Sequence, residues 1–345
     1  MTTTLDSHPP ATAAEQFAMR QQSPLQRVQH LLHAHPSISP LLVLVLAFII
    51  FTLLNPAFAQ PRTLSIVIQQ VAVIAALAIG QTMVILTAGI DLSCGAIAIL
   101  SMLVMANLSA KQGVPGALAL VIGIAFGFLC GFLNGVLVTR LKLPPFIVTL
   151  GTLSIFTAIA LLYSGGQSVG RQQMSPLLSW TRTVIPLGPF SITTGVFIVI
   201  AMALIVSFVL SQTSWGRHVY AVGDDIEAAR LAGIQVNRVL LSVYTVAGLI
   251  FGITAWVAIG RAGGASANAI TNGNLESITA VVIGGTSLFG GRGAIVGTML
   301  GALIVYVFNL GLSLAGVDAQ WRVLAVGVLI IVAVSLDQWI RKVKA

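Results

Sequence analysis

The chain has 345 residues, of which 57% are hydrophobic and only 8% are charged, and its formal net charge is +8. A soluble domain typically carries about 25% charged residues, so this composition excludes an ordinary soluble protein and indicates that lipid is the main solvent. The basic excess forms no stripe with interleaved aromatic residues, which argues against nucleic-acid binding. The two cysteines, Cys94 and Cys130, lie far apart in apolar sequence and imply neither a disulfide nor a metal site.

Ten apolar segments are predicted to cross the membrane, since a helical span needs about 20 mostly apolar residues. They form one membrane domain, 41–340, between a polar N-terminal tail, 1–40, and a short C-terminal tail, 341–345. Segments three and eight are short, so the count could differ by one, or either segment could be re-entrant. The ten segments are 41–58, 64–87, 95–110, 116–139, 146–163, 190–210, 239–259, 278–289, 294–315 and 321–339.

The distribution of lysine and arginine predicts the orientation of these segments. Ten spans place both termini on the same side of the membrane, and the side with more basic loops is the cytoplasm. With both termini inside, eleven of the 17 basic residues fall in inner loops and tails, and the other six fall in outer loops. The sequence therefore predicts an N-in, C-in topology, with the stretch 212–238 in the cytoplasm.

The stretch 212–238 is the longest polar interruption in the middle of the chain, and it holds three of the nine acidic residues. Its centre is predicted to form one short helix, with Asp224 as the N-cap and Glu227 as the capping-box partner. Gly233 is expected to end the helix in the left-handed conformation. Because so short a helix is marginal in water, we expect it to pack against the rest of the chain or against a partner.

Glycines recur every four residues in two of the predicted spans. Residues four apart lie on one helix face, and glycine allows two helix backbones to approach closely, so these positions are predicted to pack helix against helix. A face that slides during transport is the functional alternative. The positions are Gly123, Gly127, Gly131 and Gly135 in the fourth span, and Gly293, Gly297 and Gly301 in the ninth.

The interiors of the spans hold almost no charge, although several polar side chains fall within them or at their ends. Buried carboxylates are the usual sign of ion coupling, so an ion-coupled transporter is the less favoured alternative. Each polar side chain could simply bond to a neighbouring helix, but together they suit an uncharged, polyhydroxylated solute. The candidate pathway or gate residues are Gln70, Gln81, Asp91, Asn134, Thr152, Glu276 and Asn309.

No motif for catalysis or nucleotide binding occurs in the chain. There is no phosphate-binding loop of the form G-x-x-x-x-G-K-[ST], no HExxH and no GxSxG. We therefore expect no catalytic residue, and no ATP-binding site, on this chain.

Three stretches, 80–97, 216–234 and 276–304, together resemble the membrane permease of a bacterial ATP-binding-cassette (ABC) importer for monosaccharides. The motifs TAGIDLS and VIGGTSLFGG carry the likeness, which covers about residues 40–340. The resemblance is to the ribose, xylose, arabinose, galactose and fructose type, with the fructose or ribose branch favoured. Ribose-type members often have Gly-Asn where this chain has Asp224 and Asp225, and a small aliphatic residue in place of Cys94, which leaves the sugar open.

The resemblance implies an all-α integral protein of the inner membrane with the ABC importer permease fold. It implies three protein partners: a second permease copy, a cytoplasmic ATPase subunit that carries ATP and magnesium, and a periplasmic sugar-binding protein. This chain would hold no cofactor itself. The stretch 212–238 would supply the coupling helix that docks on the ATPase, although a solvated connecting loop is the simpler alternative. The matching residues are Asp224, Asp225, Glu227, Ala228, Ala229, Arg230, Leu231 and Gly233.

Overall fold

The computed structural model describes residues 38–322, together with positions 324, 325, 327, 328, 331 and 335. Its described part is built from α-helices, which follow one another along the chain with short connections. The helices are α1 (Ile38–Leu54), α2 (Pro61–Leu86), α3 (Cys94–Lys111), α4 (Gly116–Arg140), α5 (Pro145–Ser164), α6 (Pro176–Ser179), α7 (Thr194–Gln212), α8 (Ser214–Asp224), α9 (Ile226–Leu231), α10 (Val236–Ala262), α11 (Gly273–Ile283) and α12 (Ile295–Leu314).

Seven of the described helices are long and apolar enough to cross a membrane: α2, α3, α4, α5, α7, α10 and α12. Two shorter apolar helices, α1 and α11, overlap the first and eighth predicted spans. The eighth span, 278–289, is wrong in its bounds, because α11 runs from Gly273 to Ile283 and residues 284–289 are not helical. The tenth predicted span, 321–339, and both predicted tails fall largely outside the described residues, so the number of spans stays a prediction.

The first predicted span is wrong at its end, because α1 stops at Leu54 rather than at Phe58. Asn55 is extended there, and its side chain accepts a hydrogen bond from the backbone nitrogen of Ala57. A 3-10 helix, Pro56–Ala59, then connects to α2. An asparagine that caps a new helical turn at a proline ends the preceding helix, which the apolar composition alone does not reveal.

Four short strands lie in the connections between the helices of this mostly helical protein. Strand β1 (Val169–Gly170) pairs antiparallel with β4 (Gly264–Ala265), and β2 (Val184–Leu187) pairs antiparallel with β3 (Phe190–Thr193). The start of the sixth predicted span, residues 190–193, is therefore a strand, and α7 begins only at Thr194. A two-residue turn joins β2 to β3, and Gly188 in it has a φ of +61°, as such hairpin turns require.

Helix α2 forms the centre of the bundle. Every residue from Val71 to Leu86 is buried, with α7, α10, α11 and α12 packed around it. A helix that is apolar on all sides is expected to be buried on all sides. The polar Gln81 and Thr82 within this run are therefore enclosed by protein rather than by lipid.

The glycines of α4 lie where α4 meets its neighbours. A Cβ atom on Gly127 would lie 2.6 Å from the carbonyl oxygen of Gly248 on α10, and one on Gly131 would lie 2.7 Å from the Gly248 Cα. Gly135 also faces α10, whereas Gly123 faces Met105 of α3. The interface between α4 and α10 depends on the absence of side chains, since a methyl group would force the backbones apart.

The glycine pattern assigned to the ninth predicted span fails at Gly293. This residue lies in the loop before α12 with a φ of +150°, so it shares no helix face with Gly297 and Gly301. Those two glycines pack against Gly284 and Ala280, at the end of α11. The recurrence of glycine every four residues continues across the helix boundary, which is why spacing alone placed Gly293 in the helix.

The loops meet at two ends of the bundle. At the first, which we call the α9 end, the backbone nitrogen of Gly291 donates to the Leu86 carbonyl at 3.0 Å, next to α8 and α9. At the second, which we call the hairpin end, the backbone nitrogen of Ser191 in β3 donates to Ser65 Oγ at 3.0 Å. The start of α2 thus lies at the hairpin end, and its last residue lies at the α9 end.

Candidate functional site

The stretch 212–238 contains two helices rather than the single one predicted. Helix α8 begins after Thr213, whose side chain accepts from the backbone nitrogen of Gly216. Its buried positions, Gly216, Val219, Val222 and Gly223, form one face at helical spacing. The hydroxyl of Tyr220, on the same helix, donates to the Gly293 carbonyl at 2.8 Å. Burial raises the pKa of Tyr220, so its hydroxyl stays protonated and continues to donate this bond.

The predicted cap at Asp224 is wrong by one residue. Asp224 is the last residue of α8, whereas Asp225 is extended, with a φ of −155°. Its Oδ1 atom accepts from the backbone nitrogens of Glu227 and Ala228 at 2.8 and 3.0 Å. Asp225 therefore caps α9, because only an extended residue directs its side chain at the free backbone N–H groups of the following turn. Glu227 forms no capping box; it pairs with Arg230 at 2.7 Å.

Helix α9 is short, capped at both ends, and largely exposed. Gly233 has a φ of +83°, and the Ile234 nitrogen behind it donates to the Ala229 carbonyl at 3.0 Å, which closes the helix in the predicted left-handed way. Ala229 is buried, but Leu231 is 90% exposed.

A set of polar side chains, also at the α9 end, surrounds the loop between α2 and α3. Asp91 Oδ1 accepts from the backbone nitrogen of Ser93 at 2.8 Å and from its hydroxyl at 2.6 Å. The side-chain nitrogen of Asn134, on α4, donates to the same hydroxyl at 2.8 Å. Thr149, on α5, donates to the Ile90 carbonyl at 2.9 Å. The loop is therefore held by polar contacts from two other helices.

Gln81 completes this group from α2. With its side-chain amide oriented so that both the nitrogen and the oxygen are hydrogen-bonded, Gln81 donates to the Asp91 carbonyl at 3.0 Å and accepts from the Asp91 backbone nitrogen at 3.2 Å. Thr152 is buried nearby on α5 and donates to the Thr149 carbonyl at 3.4 Å. The structure thus brings together three of the predicted pathway residues, Gln81, Asp91 and Asn134. Their bonds organise a loop, and the oxygen atoms Asp91 Oδ2 and Asn134 Oδ1 have no hydrogen-bond partner within the described part of the chain.

The other predicted pathway residues lie elsewhere. Gln70 lines a cavity of about 240 Å³ at the hairpin end, together with Arg182 and Arg261. Glu276, on α11, is partly buried and close enough to Arg261 for their charges to interact. Asn309 accepts from Arg322 at 3.5 Å. The seven candidates therefore lie in separate parts of the bundle, and their role in a pathway stays a prediction.

Sequence reasoning missed several residues of these groups. Ser93 and Thr149 hold the loop of Asp91, and Arg182 and Arg261 line the cavity beside Gln70. The position of Ser93 two residues after Asp91 is typical of an Asx-turn, and this signal could have found it. Thr149 is recognisable as a polar side chain within an apolar span, whereas for Arg182 and Arg261 no local signal exists. Within the described residues, no group of three or more His, Cys, Asp or Glu side chains is placed to hold a metal ion.

Comparison with known proteins identifies the family. The model described as "Branched-chain amino acid transport system / permease component" matches residues 63–334. The chain belongs to this permease family. With seven long apolar helices among its described residues, the permease is a multi-pass protein of the bacterial inner membrane.

Three relatives show where this permease stands within the family. It is 48% identical to a fructose import permease protein of Rhizobium meliloti, over 97% of this chain and 94% of the relative. It is 37% identical to a ribose import permease protein of Bacillus subtilis, over 87% and 92%. It is 34% identical to a D-allose transport system permease protein of Escherichia coli, over 87% and 91%. No solved structure matches the chain.

Proposed function

We propose that this permease is the membrane subunit of an ATP-driven importer for a monosaccharide, with fructose or ribose as the solute. The supporting observation is the 48% identity to a fructose import permease over nearly the whole chain, followed by ribose and allose relatives. The family description mentions branched-chain amino acids, but the relatives named here are sugar permeases. The scarcity of charge in the long helices also suits an uncharged solute.

ATP is hydrolysed on a partner subunit in this proposal, and α9 is the surface on which that subunit acts. The chain has no phosphate-binding loop, so ATP and magnesium belong to the partner. The exposed Leu231, the exposed Glu227–Arg230 pair and the caps on both sides of α9 support a docking role. A solvated connection is the alternative, in which the exposure of Leu231 has no function.

The orientation with both termini in the cytoplasm is part of the proposal. Within the described residues the basic side chains are divided evenly between the two ends. Those at the α9 end are Arg140, Lys142, Arg217, Arg230, Arg238 and Arg292, and those at the hairpin end are Arg62, Lys111, Arg171, Arg182, Arg261 and Arg322. The basic excess therefore comes from the two tails, with Arg20, Arg27, Arg341, Lys342 and Lys344. Cytoplasmic tails, by the charge rule, place α9 on the ATPase side.

The assembly contains two copies of this permease, two ATPase domains and one periplasmic binding protein that delivers the sugar. The hairpin end would receive the binding protein, since it is opposite α9. It carries a cavity of about 770 Å³ lined in part by Arg171 and Arg182. ATP closes the ATPase pair, α9 moves with it, and the permease alternates between outward-open and inward-open forms.

Reconstitution tests this function directly. The purified permease, its ATPase and its binding protein are placed in liposomes, and uptake of labelled fructose and ribose is measured with and without ATP. We expect ATP-dependent accumulation of one of the two sugars. Accumulation that persists without ATP and requires a sodium or proton gradient would replace this function with ion-coupled transport. The observation that favours that alternative is the buried Asp91, with one oxygen free of hydrogen bonds to described residues.

The role of α9 has its own test. Ala229→Pro removes the backbone N–H that donates to the Asp225 carbonyl at 2.9 Å and is therefore expected to break α9. In the reconstituted importer this change should release the ATPase or uncouple hydrolysis from uptake. Normal ATPase binding together with normal uptake in this variant would remove the docking role of α9 while leaving the transport function intact.

A further inference from the structure

Three backbone segments meet at Gly223, near the end of α8. A Cβ atom on Gly223 would overlap the Leu86 carbonyl oxygen and would lie 2.6 Å from the nitrogen of Gly291. Gly291 also donates its N–H to the Leu86 carbonyl at 3.0 Å. A Cβ on Gly290 would lie 2.5 Å from the Gly223 carbonyl oxygen. We call this set of four residues, Leu86, Gly223, Gly290 and Gly291, the Gly223 contact.

The Gly223 contact joins parts of the chain that are far apart in sequence. Leu86 is the last residue of α2, the central helix, and Gly290 and Gly291 lie in the loop between α11 and α12. Both of these glycines have positive φ values, +84° and +70°, which other residues adopt only with strain. Leu86 and Gly223 are buried. The close approach is therefore built into the fold and depends on glycine at three positions.

A contact between backbones transmits displacement with little loss. Side chains at an interface can change rotamer when one element moves, whereas packed backbone has no such freedom, and protein interiors are poorly compressible. Tyr220 adds a second connection from α8 to the same loop, through the Gly293 carbonyl at 2.8 Å. Helix α9 begins after the single residue Asp225, which follows Asp224. A force on α9 is thus applied within three residues of Gly223.

Two routes lead onward from this contact. Leu86 precedes the loop that carries Asp91, and this loop is bonded to α4 through Ser93 and to α5 through Ile90. The other route is the loop after α11, where Gly284 packs directly against Gly297 of α12. Movement of α8 therefore reaches the end of α2 and the α11–α12 pair together.

We propose that the Gly223 contact is the transmission point through which movement of α9 is passed to α2 and to the α11–α12 pair. This inference rests on the proposed function, in which an ATPase subunit moves α9. It assigns positioning roles to Gly223, Gly290, Gly291 and Tyr220, which contact neither ATP nor the solute.

The test uses the complete importer in proteoliposomes and measures sugar uptake, ATP hydrolysis and retention of the ATPase. Gly223→Ala is expected to keep the ATPase bound and hydrolysing, and to lower the sugar imported per ATP by about tenfold. Gly151→Ala is the matched control, because a Cβ there meets no atom within 4 Å, and it should leave the ratio unchanged. A change confined to this ratio separates transmission from a general loss of stability, which would lower all three measurements together.

A second variant covers the possibility that Gly223→Ala fails to fold. Tyr220→Phe removes the hydroxyl that bonds to Gly293 without adding volume, and it should lower uptake per ATP about threefold, with the ATPase still bound. If Gly223→Ala folds and couples normally, or if it loses the ATPase altogether, the inference is overturned. If Gly223→Ala is unfolded, an unchanged ratio in Tyr220→Phe overturns it. Failure of the wild-type importer to show ATP-driven uptake would instead reject the proposed function, and this inference with it.

Discussion

The side-chain amide of Asn134 donates a hydrogen bond to the hydroxyl of Ser93 at 2.8 Å, across 41 residues of sequence. Ser93 in turn donates to Asp91, so a residue in the last two turns of α4 positions the loop between α2 and α3. Both Asn134 and Ser93 are fully buried. A buried, polar connection of this kind costs more to break than an exposed one, because the groups that remain lose their partners without gaining water.

Asn134→Ala is therefore expected to destabilise the permease. It removes one donor to Ser93, and we expect the free energy of unfolding to fall by about 1–3 kcal/mol, measured by thermal unfolding in detergent. Ser154→Ala on α5 is the control, since the Ser154 hydroxyl is exposed, and its effect should stay within about 0.5 kcal/mol. Equal unfolding temperatures for Asn134→Ala and wild type would show that this connection contributes nothing to stability.

Substitutions of the two neighbouring aspartates, Asp224 and Asp225, test which of them caps α9. Asp225→Ala removes the acceptor for two backbone N–H groups and should cost about 1 kcal/mol of helix stability. If α9 must be folded to bind the ATPase, the affinity of the permease for the ATPase should fall about fivefold. Titration calorimetry or surface plasmon resonance would measure this change. Asp224→Ala should have the smaller effect, because within the described chain the Asp224 side chain accepts no hydrogen bond. The reverse order of the two effects would contradict the cap assignment.

Leu231 tests whether α9 is a binding surface. The side chain is 90% exposed, so Leu231→Ala should change the free energy of unfolding by less than about 0.5 kcal/mol. If the ATPase buries this side chain, the loss of about 1.5–3 kcal/mol should weaken its binding by at least tenfold. Leu162→Ala is the comparison, because Leu162 is 83% exposed at the opposite end of the bundle. Equal ATPase affinities for both variants would argue that α9 is only a solvated connection.

At the interface between α4 and α10, a larger side chain is expected to lower the stability of the protein strongly. Gly127→Leu places a side chain where the Gly248 carbonyl oxygen lies 2.6 Å from the Cβ position, and overpacking of this kind costs about 1–3 kcal/mol or more. We expect a lower unfolding temperature and less folded protein on size-exclusion chromatography. Gly151→Leu, at a position with open space around its Cβ, should behave like wild type. Equal losses in the two variants would mean that glycine content, rather than the contact, determines stability.

Several helices agree closely with their prediction from sequence. The predicted spans 95–110, 116–139 and 146–163 correspond to Cys94–Lys111, Gly116–Arg140 and Pro145–Ser164. These segments are apolar runs between prolines, charges and glycines, and a membrane span depends mainly on the length of such a run. The agreement fails at Phe190–Thr193, because a strand pair with β2 satisfies that backbone instead.

The sites were predicted less completely than the spans. Polar residues such as Gln81, Asp91 and Asn134 were recognisable as unusual, since polar groups in apolar sequence are costly unless they are bonded. Their meeting at one loop, and the separation of Gln70 and Asn309 from them, depend on how α2, α4 and α12 pack. Asp225 differs from Asp224 only in its backbone conformation, which the sequence of two adjacent aspartates does not reveal.

By itself, the sequence determined that this protein is a membrane protein and where most of its helices begin and end, and it predicted that ATP binds to another chain. These properties follow from local composition and from the presence or absence of short motifs. Only the tertiary structure decided which backbones touch: Gly223 against Leu86 and Gly291, and Gly127 against Gly248. Such contacts join residues distant in sequence, and a glycine shows no partner until the helices are packed.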